Sequence, residues 1–308
     1  MAHKNEKTEL NRAFFDDEAE GYDAKHEKTA EEIMRRVAAR RDFIGIGWIE
    51  DEDEDEDDDE DDDEDAEVQN YKAEKSPSHS VRVLDYACGT GNMSRAFAPY
   101  TTQCVGIDLS EKMVQVYNTR ARNQGLDPEE MSAYHGNLCI PKDPTPAAFQ
   151  DPVQFFNFDM AIVGLGFHHF DDPQLAASRL VARLKPGGVL VILDFLPHTP
   201  FSAAHDGQDN DHQDHHSHAH SHGQDESQGS DKELEKHGHG HDHSHSHSHG
   251  HGHAAHTVTH HGFSEEQITR IFTTAGAAKD FAIDKLGQVT MGRHMGKREL
   301  FMARGTKP

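Results

Sequence analysis

The chain predicts an α/β protein built on a doubly wound sheet, and three observations carry that prediction. Stretches of apolar alternation and stretches of helical periodicity succeed one another along most of the sequence. The strand V-R-V-L-D-Y, Val81 to Tyr86, runs into A-C-G-T-G, a small-residue turn closed by Gly89 and Gly91. A second strand then ends in an acid, G-I-D-L-S, Gly106 to Ser110. A glycine turn after one strand and an acid at the end of the next form a nucleoside-binding crevice.

Each element follows from local chemistry. Residues 11–49 read as helices, with Ile33 and Val37 on one apolar stripe of the second. The first strand is about 81–86, and the helix after Gly91 carries Met93, Phe97 and Ala98. The second strand, 103–109, leads to a helix with Ser110 as N-cap, Met113, Val116 and Tyr117 on one face, and Gly125 at its close. A third strand falls near 131–136. The fourth, F-D-M-A-I-V-G at 158–164, is nearly continuous apolar, as a strand buried on both faces must be. Asp172-Pro173 starts a helix that ends at L-K-P-G-G, Leu184 to Gly188, and opens into the fifth strand. Ser264 to Gln267, S-E-E-Q, is a capping box for a helix ending at Gly276. Two last strands, 279–286 and 298–304, pair most simply as an antiparallel hairpin.

Two stretches are predicted to stay disordered. Glu50 to Asp65 is sixteen consecutive acids, and mutual repulsion keeps such a block solvated. His198 to His261 is built of His, Ser, Gly, Asp and Gln, with almost nothing apolar to bury. The organisation is therefore 1–49, N-terminal helices; 50–80, acidic insertion; 81–197, ligand-binding core; 198–261, histidine-rich insertion; 262–308, a helix and strand pair completing the sheet. Without the acidic run and the histidine-rich stretch roughly 230 residues remain, enough for one domain with a sizeable core.

The net charge of −26 lies mostly in the acidic run, so the folded part is only mildly acidic. A phosphate-tracking basic surface is not indicated, and nucleic acid is not an expected partner. Arg35 to Arg41 reads as the polar face of a helix, with a nuclear-import signal as the competing reading. Cys88, Cys104 and Cys139 make no disulfide framework, which suits a reducing compartment. No apolar run reaches the ~18 residues of a membrane span. No signal core opens the chain, so a cytoplasmic or nuclear location is expected.

The segments F-F-D-D-E-A-E-G-Y-D, V-L-D-Y-A-C-G-T-G, G-I-D-L-S-E-K-M, H-G-N-L, F-D-M-A-I-V-G-L-G-F-H-H-F and L-K-P-G-G-V-L-V-I occur in this order. Together they resemble the class I S-adenosylmethionine-dependent methyltransferases, in particular the small-molecule, ubiquinone/menaquinone C-methyltransferase-like members. The resemblance runs from Phe14 to Arg304 apart from the insertions. It implies a Rossmann-like seven-stranded sheet whose last strand inserts antiparallel, S-adenosyl-L-methionine as cofactor, and a small-molecule methyl acceptor. It places the methionine end of the cofactor near Asp85, Ala87, Gly89 and Gly91, the ribose on Asp108, and the adenine against Leu109. The acid that often accepts from the adenine amino group is here Asn137, followed by Leu138. Tyr22 matches a position on an N-terminal lid. Ala87 replaces the first glycine of D-x-G-x-G-x-G, a departure that matters only if that position needs positive φ.

Methyl transfer from a sulfonium needs alignment and a dry pocket, and a base where the acceptor is a phenol or activated carbon. His168 and His169 follow the fourth strand at the carboxyl edge of the sheet and are the candidate bases, since imidazole titrates near ~6.5. The competing reading makes them loop or pocket-wall residues. Asp194, late in the fifth strand, is a lesser candidate.

The histidine tract adds a separate expectation. His237, His239, His241, His243, His245, His247, His249, His251 and His253 stand at every second position, where imidazoles can converge on a divalent metal such as zinc or nickel. The plain alternative is a low-complexity expansion. The tract leaves the fifth strand, so it is tethered on the crevice edge. Two rival functions follow: a metal-binding or storage protein on a methyltransferase-like fold, and an interaction protein whose acidic block docks a basic protein partner.

Overall fold

A computed structural model of the chain describes residues 3–49, 79–199, 256–291 and 296–308. The acidic run Glu50–Asp65 and the tract His237–His253, with the disorder expected of both, lie outside the described residues. In chain order the elements are α1 (His3–Glu18), α2 (Tyr22–Ala38), α3 (Arg41–Ile44), β1 (Arg82–Tyr86), α4 (Asn92–Phe97), β2 (Gln103–Asp108), α5 (Glu111–Asn123) and β3 (Met131–His135). They continue with α6 (Pro152–Phe155), β4 (Phe158–Gly164), α7 (Pro173–Arg183), β5 (Leu184–Phe195), α8 (Glu265–Ala275), β6 (Lys279–Thr290) and β7 (Lys297–Thr306).

The seven strands form one sheet in the order β3-β2-β1-β4-β5-β7-β6. β1 to β5 are parallel, and β7 runs antiparallel between β5 and β6. The chain winds outward from β1 to β3 and returns to place β4 on the other side of β1. That reversal opens a crevice at the carboxyl ends of β1 and β4, where a ligand is not excluded by a crossing connection. β1 alternates cleanly: Val83 faces one core with Phe97, Val37 and Tyr117, while Leu84 faces the other with Leu180, Ile107 and Phe272. Phe158 to Val163 of β4 are all buried, because helices cover both faces.

Capping chemistry sets the helix boundaries. Ser110 accepts from the Met113 amide, Asp172 from the Leu175 amide, and Ser264 with Gln267 completes a reciprocal capping box. Each such cap stabilises its helix by about 1 kcal/mol. The buried stripe of α5 is Met113, Val114, Tyr117 and Ala121; Val116, expected on it, is only half-buried. The expected face was drawn one residue off, within the tolerance of a 100° turn per residue. L-K-P-G-G does not sit outside the fifth strand: β5 begins at Leu184, and the strand pairing is irregular opposite Phe158–Met160.

The arginines of Arg35–Arg41 do more than solvate a helix. Arg36 donates to the carbonyls of Leu286 and Gln288, Arg40 pairs with Asp284, and the Arg41 guanidinium lies 3.5 Å from the Tyr100 ring centre. Arg36 and Arg40 thereby tie α2 to the edge strand β6. The boundary of the second insertion also shifts. Within residues 256–261, assigned to it from composition, Thr257 is 2% exposed and Val258 to His260 are half-buried. Composition cannot register this, because the segment is held by backbone hydrogen bonds rather than by apolar side chains.

Candidate functional site

The site begins at the turn after β1. Ala87, Gly89 and Gly91 all take positive φ, at 58°, 53° and 92°. The residue that departs from the glycine pattern therefore occupies a left-handed conformation, at a cost of about 1–2 kcal/mol for an L-residue with a Cβ. The two glycines are required for different reasons. A Cβ on Gly91 would come within 2.7 Å of the Tyr117 ring, so its absence serves packing. A Cβ on Gly89 would meet no protein atom within 4 Å, so its absence leaves open space in front of the turn.

Asp108 closes this cradle. Its carboxylate accepts from the Gly89 amide at 2.8 Å and from the Ser110 amide at 2.8 Å. Burial pushes its pKa up, against the pull of those two amides. A carboxylate has about four acceptor positions, so each oxygen keeps capacity for a ligand hydroxyl. Asp85 lies deeper, 1% exposed. One oxygen accepts from the Ser94 amide and hydroxyl, which fixes the start of α4, while Oδ1 has no partner. Burial raises its pKa to about 6.

The N-terminal helices cover the crevice. Asp16 of α1 accepts from the Ser110 hydroxyl at 2.7 Å and the Lys112 amide at 3.3 Å. Asp23 of α2 accepts from the Thr90 hydroxyl and from Arg120, each at 2.6 Å. Both acids belong to the segment F-F-D-D-E-A-E-G-Y-D, whose match could have marked them but whose contacts it could not name. Tyr22 opens α2 between them, and burial, then Asp108, Asp23 and Glu18, raise its phenol to about 12.

The residues assigned to the adenine end divide. Leu109 is half-buried beside Asp108, and its carbonyl bonds the His135 ring. The Asn137 oxygen is engaged within its own loop: Oδ1 accepts from the Cys139 amide at 2.7 Å and lies 3.2 Å from the Tyr86 hydroxyl, which also lies 3.3 Å from Cys139 Sγ. A phenol has one proton to give, so the amide oxygen is committed to its own loop at one acceptor position and shares the Tyr86 proton with Cys139 Sγ at the other. Leu138 is 0% exposed, and its amide donates to the Tyr86 hydroxyl, so it belongs to the core rather than to a ligand surface. Tyr86 on β1 organises this loop from within, which no local pattern in the sequence announces.

Across the crevice, the loop after β4 starts with Leu165 at φ 58° and packs closely on the glycine turn. A Cβ on Gly166 would approach the Ala87 methyl to 2.9 Å. His168 and Asp194, considered separately from sequence, form one unit. The His168 amide donates to Asp194 at 3.0 Å, and its Nδ1 lies 2.9 Å from Oδ1 of the same carboxylate. Asp194 is 0% exposed. Nδ1 therefore carries the proton, and Nε2 is left as the basic atom. His169 donates from Nδ1 to the Thr257 carbonyl and packs edge-on against Phe15. Burial, then the neighbouring His168, lower its pKa to about 3.

The described residues include no group of three or more His, Cys, Asp or Glu able to hold a metal ion. The histidines His237–His253, to which a metal was assigned, fall outside those residues. No described helix is long and apolar enough to cross a membrane.

Three observations test whether this crevice fits S-adenosylmethionine. Space is open at Gly89, a strand-end carboxylate faces it at Asp108, and Asp85 Oδ1 is a buried acceptor without a donor. A ligand with a ribose diol and a cationic amino group matches that set. The sequence matches the family described as "Methyltransferase domain" over residues 66–278. It is 36% identical to an uncharacterised methyltransferase of Schizosaccharomyces pombe over 114 residues, 37% of this chain and 38% of that protein. It is 32% identical to the demethylmenaquinone methyltransferase of Thermus thermophilus over 127 residues, 40% of this chain and 50% of that protein. The chain thus spans half or less of the length of these relatives. Its fold is like that of a chain from the complex of the Haloferax volcanii Trm112 methyltransferase activator with a methyltransferase. That match has a TM-score of 0.50 and 14% identity, and covers 96% of this chain and 97% of the other.

Proposed function

This chain belongs to the methyltransferase-domain family, and from that premise we propose that it is an S-adenosylmethionine-dependent methyltransferase acting on a small-molecule acceptor. The observation that carries the reading is the Asp108 carboxylate bonded to the Gly89 amide, beside open space that a side chain at Gly89 would fill. Asp108 would hold the ribose, Asp85 Oδ1 the cationic amino group, and Tyr22 would close over both. When bound, the cofactor supplies a methyl group made electrophilic by its sulfonium. The protein's own task is alignment, exclusion of water and removal of a proton from the acceptor.

His168 is suited to the last task. Asp194 fixes its ring through Nδ1 and through its backbone amide, so Nε2 is presented in one orientation. The ring is held between Phe195 and His169, whose centres lie 5.2 Å and 4.1 Å away. His169, neutral at ordinary pH, acts as a wall and a hydrogen-bond acceptor rather than as a second base.

The small-molecule class is supported by the aromatic and histidine walls, Phe15, His169 and Phe195, around the dyad. Three free thiols support a reducing compartment, the cytoplasm or the nucleus. A basic protein remains the partner proposed for the acidic run. The deciding experiment is calorimetric titration of the full chain with S-adenosylmethionine, followed by incubation with methyl-labelled cofactor and a metabolite extract. Micromolar binding and a labelled low-mass product are expected; a chain that does not bind the cofactor sinks the reading.

A further inference from the structure

Beside the dyad lies a buried atom that the fold leaves without a partner. Asn11 of α1 is 8% exposed, its Nδ2 donates to the His169 carbonyl at 3.1 Å, and its Oδ1 has no hydrogen-bond donor. The assignment of the two ends of the amide is forced, because the His169 carbonyl can only accept. A buried carbonyl oxygen without a donor is rare and destabilising, so its retention needs a reason.

The neighbouring rings share the same character. Asp194 draws the proton of His168 to Nδ1, and the Thr257 carbonyl draws that of His169 to Nδ1. Each Nδ1 is thereby committed to the protein, which leaves Nε2 of each ring to meet a ligand. The loop that carries them is pinned from behind. The His168 carbonyl accepts from the amides of Thr259 and His260, and the Thr259 hydroxyl donates to the His169 carbonyl. The tautomers and the loop are fixed by the protein before any ligand arrives.

We propose that Asn11 is a specificity-determining residue, whose Oδ1 and the two histidine Nε2 atoms read an acceptor bearing at least two O–H, N–H or S–H donors. In the transfer one donor atom would bond the methyl carbon as the methyl–sulfur bond breaks, its electron pair staying on the sulfur of the departing thioether; that atom's proton would pass to His168 Nε2, and the second donor would bond Asn11 Oδ1. A site built around a buried acceptor such as Asn11 Oδ1 rejects analogues that lack the donor far more strongly than an apolar pocket rejects a misfit. This rests on the methyltransferase reading above.

The test uses the full chain and two variants. Asn11→Leu removes both ends of the amide; Asn11→Asp keeps an acceptor oxygen and loses only the donor to His169. For Asn11→Leu the melting temperature is expected to hold within ~2 °C or to rise, because an unpaired oxygen is lost and the His169 carbonyl keeps Thr259. Its cofactor affinity by calorimetry is expected to stay within about threefold, while label transfer into the metabolite extract falls at least tenfold, in KM more than in kcat. Asn11→Asp should retain most of the transfer. A fall in melting temperature beyond ~5 °C for Asn11→Leu would mean that Oδ1 serves the fold, and overturns the proposal without reference to any acceptor. Undiminished transfer, equal loss in both variants, or a labelled product whose parent has a single donor overturns it as well. Failure of the unaltered chain to bind cofactor is a different result, and it sinks the methyltransferase reading instead.

Discussion

The Gly89 amide donates to Asp108 at 2.8 Å, so the turn after β1 is tied to the end of β2 by the same carboxylate that faces the crevice. Asp108 thus has a structural duty as well as a proposed ligand duty. Asp108→Ala is expected to lower S-adenosylmethionine affinity at least tenfold, since hydrogen bonds to a charged acceptor contribute ~1.5–3 kcal/mol each. It also leaves the Gly89 and Ser110 amides unpaired, so the melting temperature should fall. Calorimetry and thermal unfolding read the two effects separately; unchanged affinity would remove the ribose role.

The two turn glycines should fail in opposite ways. Gly89→Ala meets no protein atom and carries only the left-handed backbone cost of about 1–2 kcal/mol, but it fills the ligand's space. Gly91→Ala drives a methyl to 2.7 Å from Tyr117 and adds the same backbone cost. The first variant should stay folded and lose cofactor; the second should lose several degrees of melting temperature. Identical behaviour of the two would contradict the assignment.

Ala87 is strained at φ 58°, which makes Ala87→Gly a stabilising change. Relief of the backbone cost exceeds the entropy a glycine adds to the unfolded chain, for a net of roughly 0.5–1 kcal/mol. Thermal unfolding of the variant should shift upward by a few degrees; a downward shift would show that the packing of the Ala87 methyl against the core matters more than the strain.

Asp85 gives a pH signature. Its folded pKa is raised to about 6 by burial, so the folded state holds its proton more tightly than the unfolded chain does. The contribution is fully present below the unfolded value of ~3.9 and is lost as pH rises through 6. Asp85→Asn, which still accepts from Ser94, should therefore gain stability relative to the parent as pH rises from 4 to 7. Parallel melting curves across that range would show that Asp85 is not raised.

The pair of His168 and Asp194 separates chemistry from binding. Asp194→Asn should leave cofactor affinity within about threefold and cut methyl transfer by at least a hundredfold, because general-base catalysis contributes ~10²–10⁴-fold. His168→Asn, which removes the imidazole, should cut transfer to a similar degree. A transfer rate that ignores both substitutions would leave the dyad as a structural clasp.

The strands, most helix caps and the glycine turn were legible because their causes are local. Alternation from Val81 to Tyr86, the Ser264–Gln267 box and the acid at Asp108 need only residues a few positions apart. The sequence could also place His168 and Asp194 on one sheet edge, since each follows or ends a parallel strand. It could not join them, because the Nδ1 bond depends on how two strands pair 26 residues apart. Nor could it foresee that Asn137 turns its oxygen inward to Tyr86 and Cys139, that Ala87 takes a left-handed backbone, or that Thr257–His260 grips the loop behind His168. Asn11 is the extreme case: its partner carbonyl lies 158 positions away, and its unpaired oxygen exists only once α1 has closed on the sheet. Periodicity and turn chemistry are written within a few residues of chain, whereas the partner of a buried polar atom is chosen by packing between segments that meet only in the folded state.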